Sequence, residues 1–97
     1  MTSGVEILGD GTHLTVEVKR ESLQSTKVFC IVDNSTRSVY LWKGSQSGMR
    51  KQLAGALAAT EIRLESGERF RVQAIDQGEE PPGFFKLLEA KPARTRP

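Results

Sequence analysis

Apolar positions recur every second residue in some parts of the chain and at helical spacing in others. From His13 to Lys19, Leu14, Val16 and Val18 alternate with Thr15 and Glu17, the pattern of a half-buried strand. Val28 to Val32 is continuously apolar, with β-branched and aromatic content, as expected for a strand covered on both faces. The turn residues Asp33, Asn34, Ser35 and Thr36 then lead into Ser38–Trp42, a second strand of a hairpin. Val39 and Leu41 share one face of that strand, and Tyr40 and Trp42 the other. Phe70 to Ile75 alternates again, with Phe70, Val72 and Ala74 facing one way.

Two segments read as helices. Gly44-Ser45-Gln46-Ser47 breaks the preceding strand and offers serine caps. From Gly48 to Glu61, Met49, Leu53, Ala56, Leu57 and Thr60 fall on one side at helical spacing, which makes that side the expected core face. Lys51, Ala54, Gly55 and Ala58 then form the expected outer side. Pro81-Pro82 suits the first turn of a second, short helix carrying Phe84, Phe85, Leu87 and Leu88. The order is β, β, β, α, β, α. It predicts one sheet with a long helix on one face and a short helix on the other, the long helix crossing between parallel strands. Residues 1–12 hold three glycines and little pattern and read as a flexible N-terminal arm. Residues 13–90 are the expected domain, and 91–97 a flexible basic tail.

With 97 residues there is room for one core. A 37% hydrophobic and 27% charged composition is that of a globular chain. The longest strictly apolar run, Val28–Val32, is far short of a membrane span, and the start shows no secretory signal pattern. The 14 basic against 12 acidic residues include Lys91, Arg94 and Arg96 in the tail, and without these the body is slightly acidic. Nucleic acid is therefore not an expected partner. The tail is expected to be a solubilising terminus, or else a weak contact for anionic lipid or acidic protein.

Candidate chemistry is sparse. His13 heads a strand with no evident partner, and Cys30 lies inside a buried strand, where a thiol is inert. A lone Cys and a lone His exclude a Cys/His zinc site. Asp76, Glu79 and Glu80 cluster before the short helix, where the helix dipole accounts for them. A hydrolase built on that cluster is the remaining enzymatic alternative, and the expected reading is no enzyme. The outer side of the long helix is the better binding feature, since Ala54, Gly55 and Ala58 leave it flat.

Three stretches in order resemble the gelsolin/villin/severin family. "LTVEVKRESLQSTKVFCIVD" from Leu14 to Asp33 is similar to the family's strand, turn and apolar strand ending in Asp. "VYLWKG" from Val39 to Gly44 resembles the strand before the family's long helix, and "DQGEEPPGFF" from Asp76 to Phe85 its "EGxEPxxF" segment. The resemblance implies an α+β fold: a mixed central sheet of about five strands sandwiched between one long and one short helix. It further implies actin binding through the exposed side of the long helix, with Arg50, Lys51, Ala54, Gly55, Ala58, Glu61 and Arg63 as the residues carried over. Trp42 and Gly44 would be structural, and Pro81 and Phe84 would start and anchor the short helix.

Family domains often hold calcium with a Gly-Asp pair before an apolar strand and a Glu early in the long helix. Here those positions fall on Thr26-Lys27, within one residue, and on Lys51. No calcium is therefore expected at the usual place, nor any other cofactor. A single such domain implies capping, monomer binding or side binding rather than severing, in a cytoplasmic, cytoskeletal setting. Short forms of this kind resemble archaeal relatives of the family. The alternative is the same fold serving as a protein–protein adaptor not directed at actin.

Overall fold

The computed structural model describes residues 2–89. The expected tail, 91–97, lies outside the described residues.

Five strands form one sheet in the order β2-β1-β3-β4-β5. They are β1 (Thr2–Ile7), β2 (His13–Val18), β3 (Val28–Asp33), β4 (Ser38–Lys43) and β5 (Arg71–Asp76). All pairings are antiparallel except β4 with β5, and the helix α1 (Met49–Ser66) makes the crossover between those two. A short helix, α2 (Pro82–Glu89), lies on the opposite face, and a 3-10 turn, Arg20–Ser22, follows β2. The mixed sheet between a long and a short helix is the fold expected from the sequence.

One segment differs from expectation. Residues 2–7, read as part of a loose arm, form β1 in the interior of the sheet between β2 and β3. Ile7 is fully buried, and Gly4 lies so close to Val18 that a Cβ there would stand 2.8 Å from its methyl. Gly4, which weakens the strand pattern in sequence, is what permits this packing. α1 is also longer than the fourteen or so residues expected, running to Ser66 and ending on Gly67 at φ 136°.

Alternation divides the sheet's side chains between two cores. Toward α2 lie Phe29, Ile31, Tyr40, Trp42, Ile75 and Val18, packed on Phe84 and Leu88. Tyr40 meets Phe84 edge-on at 5.6 Å between ring centroids, the arrangement aromatic quadrupoles favour. Toward α1 lie Ile7, Val28, Cys30, Val39 and Leu41, packed on Ala58 and Ala59. β3 contributes to both, which is why its sequence is an unbroken apolar run. Asp33 ends it: its carboxylate accepts from Ser35 N, Ser35 Oγ and Thr36 Oγ1 and shapes the turn into β4.

The face of α1 is reversed relative to expectation. Gly55, Ala58 and Ala59 are buried against the sheet, whereas Met49, Leu53 and Leu57 point away from it. The reason is distance. At its closest approach to the sheet the helix leaves room for hydrogen and methyl side chains only: Gly55 rests directly on Val28 and Leu41, while Ile62, further along, packs half-buried against the same core. The long side chains, which hydrophobicity alone would place inside, do not fit there.

Candidate functional site: the outer face of the long helix

Met49, Leu53, Leu57 and Leu64 are 77, 61, 70 and 65% exposed. Steps of four, four and seven residues return to one side of a helix, so these side chains form a single stripe. At 1.5 Å per residue the stripe runs about 22 Å. Met49 and Leu53 stand on a ridge between two open concavities. One, about 570 Å³, lies toward the β1–β2 turn and is walled by Gly9, Asp10, Gly11, Arg50 and Leu57. The other, about 340 Å³, lies toward β5 and is floored by Leu41, Val72 and Ala74. Asp10 is held in the turn by bonds from Thr12 Oγ1 at 2.6 Å and Thr12 N at 3.0 Å, and these hold its carboxyl below the usual carboxylate range. An aspartate with that geometry is an ordered, charged rim beside an apolar ridge.

The residues carried over from the family resemblance are scattered by this geometry. Arg50 and Glu61 are exposed on α1. Lys51 is half-buried and donates from Nζ to the Thr26 carbonyl at 2.8 Å. Ala54 is half-buried and packs beside the inner core. Arg63 is half-buried, with Nη1 3.5 Å from the Phe70 carbonyl. Gly55 and Ala58 are buried and cannot touch a partner in this fold, so their expected place on the outer side is corrected. Leu53 and Leu57, expected in the core, are surface residues, and Leu64 lies beyond the helix end expected at Glu61. A signal was present in the sequence: the large apolar residues fall on one side of the helix and the small ones on the other.

The start of α1 is positioned by its neighbours. Gly48, its N-cap, makes no side-chain cap, and Ser47, one of the serines expected to cap it, is engaged elsewhere. Ser47 Oγ donates to the Gly44 carbonyl at 2.7 Å and accepts from Gln52 Nε2 at 3.0 Å. Gly44 crosses the β2–β3 connection so closely that a Cβ would overlap the Ser25 carbonyl. Its role is close approach rather than a special turn conformation.

The other polar candidates are structural. Cys30 donates its thiol to the Gly55 carbonyl at 3.6 Å, and burial pushes its pKa up to about 12, the opposite of what a nucleophile needs. Glu80 accepts from Trp42 Nε1 at 2.8 Å and from Gly78 N at 3.1 Å. Partial burial pushes its carboxyl up, but those bonds outweigh burial and hold it below its ordinary value. Asp76 lies 3.4 Å from Lys43 Nζ. The acidic cluster is thus a clasp between the β5–α2 connection and β4.

The contacts around Thr26 and Lys51 bear on the family's calcium site. A calcium ion takes several oxygen ligands, carboxylates among them. At the corresponding positions the chain offers the Thr26 carbonyl and, in place of a carboxylate, the Lys51 ammonium. Among the described residues no three His, Cys, Asp or Glu side chains come together as a ligand set. The residues do not fit the ion.

Together these features define a class: a small α+β domain whose sheet carries one long helix with its large apolar side chains turned outward. The chain belongs to the gelsolin repeat family, whose sequence profile matches residues 14–85. Protein flightless-1 homolog of Mus musculus is 28% identical over 82 residues, covering 84% of this chain. The chain spans only 6% of that protein's length. Among solved structures, the Thorarchaeota ProGel chain, crystallised as a complex with rabbit actin, superposes with a TM-score of 0.84 at 26% identity. That match covers 91% of this chain and 99% of the other. The Thorarchaeota 2DGel3 chain, also from a complex with rabbit actin, shares the fold with a TM-score of 0.72 at 20% identity, covering 89% of this chain and 44% of its own.

Proposed function

We propose that this domain binds actin through the outer face of α1 and thereby regulates filament assembly, by capping, monomer binding or side binding. The observation that carries the reading is the stripe Met49–Leu53–Leu57–Leu64 left in water. Burying one such side chain is worth about 1.5–3 kcal/mol, so four exposed on one face are stability forgone unless a partner covers them. A rigid helix with an apolar ridge suits insertion between two lobes of a partner. The likeness to ProGel, crystallised with rabbit actin, supports actin as that partner. The domain acts as a binding module without covalent chemistry, in the cytoplasm and at the cytoskeleton. No helix among the described residues is long and apolar enough to cross a membrane.

The test is Leu57→Asp, with Lys86→Ala on α2 as the control far from the stripe. Leu57→Asp is expected to melt like the wild type yet lose at least tenfold in affinity, about 1.4 kcal/mol, in filament pelleting and monomer-binding assays. Lys86→Ala is expected to bind normally. If Leu57→Asp binds as tightly as the wild type, the stripe is not the contact.

A further inference from the structure

Three successive backbone carbonyls of the β2–β3 connection point at the segment that starts α1. The Ser25 carbonyl accepts from Gln46 N at 2.8 Å, and the Lys27 carbonyl from Gly44 N at 2.9 Å. The middle one, Thr26, accepts from Lys51 Nζ at 2.8 Å. Backbone amides serve the outer two, and only a side chain reaches the third.

The choice of side chain runs against local preference. Met49, Arg50 and Lys51 open α1, and its first turn holds no acidic residue. The N-terminus of a helix carries partial positive charge and favours anions, so two cations there work against the helix dipole. With no side-chain cap at Gly48, the helix start depends on tertiary bonds for its anchorage.

We propose that the Lys51 ammonium is a built-in cation that fastens the first turn of α1 to the Thr26 carbonyl, so that the docking helix is held in place without a divalent ion. A carbonyl oxygen is the kind of ligand a hard cation takes, and here the chain supplies the positive charge itself. A divalent ion entering beside the ammonium would meet like charge and lack a free carboxylate. The Glu6 carboxylate, on the strand paired with β3, is already 3.8 Å from Lys27 Nζ. The inference rests on the docking reading only for what α1 does once held; the anchorage itself is measured without actin.

The experiment uses the whole chain, as wild type and Lys51→Met, which keeps the aliphatic stem and removes the charge. Each is measured in EGTA and in 1 mM calcium chloride, by thermal melting and by amide hydrogen exchange. Wild type is expected to melt at the same temperature in both buffers. Lys51→Met is expected to exchange the Gly44, Gln46 and Gln52 amides at least threefold faster, with calcium restoring nothing. A calcium-dependent rise in wild-type melting temperature, or wild-type protection in Lys51→Met, overturns the proposal. Actin pelleting of the same two proteins separates the questions: loss of binding by wild type would sink the docking reading and leave the exchange result to decide Lys51.

Discussion

Gly55 rests on Val28 so closely that a Cβ on the glycine would stand 2.7 Å from a Val28 methyl and 2.9 Å from a Leu41 methyl. This contact sets how near α1 lies to the sheet, and therefore which of its residues face inward. In an exposed helix, glycine costs roughly 1 kcal/mol relative to alanine. Here the close approach offsets that cost. Gly55→Val is expected to destabilise the domain by about 1–3 kcal/mol through overpacking, measured by urea unfolding. A neutral or stabilising result would mean the helix sits farther from the sheet than described.

The reversed helix face gives a paired test. Leu53→Ala removes an exposed side chain and is expected to change stability by less than about 0.5 kcal/mol, against about 2–5 for a core leucine. Ala58→Glu buries an unpaired carboxylate beneath α1 and is expected to cost about 3–5 kcal/mol. Both are read from denaturant midpoints. If Leu53→Ala were costly and Ala58→Glu harmless, the face expected from hydrophobicity would be the correct one.

Gly44 gives a second steric test. Its missing Cβ would overlap the Ser25 carbonyl, which is backbone and cannot turn aside. Gly44→Ala is expected to cost about 1–3 kcal/mol and to raise exchange of the Gln46 amide, which bonds the same carbonyl. Unchanged exchange at Gln46 would argue against the crossing.

Glu80 links stability to pH. Its folded pKa is depressed below the ordinary value near 4.5, so its contribution is complete above that value and fades as pH falls through the folded pKa. Asp33 is depressed from near 3.8: burial raises it, and the Ser35 and Thr36 bonds outweigh burial. It therefore adds loss in the same direction at lower pH. Glu80→Gln keeps an acceptor for Trp42 but loses the charge. It is expected to be less stable at neutral pH, with a shallower fall in melting temperature between about pH 5 and pH 3. Parallel wild-type and variant curves would show that the clasp does not depend on ionisation.

Much of this molecule was legible as sequence. Alternation placed β2 and β5, and continuous apolar stretches placed β3 and β4, each within a residue of the observed ends. The double burial of β3, the parallel crossover by α1 and the start of α2 near its prolines were equally readable. β1 was not, because Gly4 and the glycines that follow the strand look like loop, and the use of Gly4 depends on strands arriving from elsewhere in the chain. The sides of α1 could be sorted but not assigned. Periodicity separates Met49, Leu53 and Leu57 from Gly55 and Ala58, yet both sides are apolar enough to be core. What decided between them is how close the helix comes to the sheet, and closeness admits glycine and alanine where it excludes leucine. That distance is a property of the assembled layers, so the exposed stripe, and with it the candidate site, emerges only in the tertiary structure.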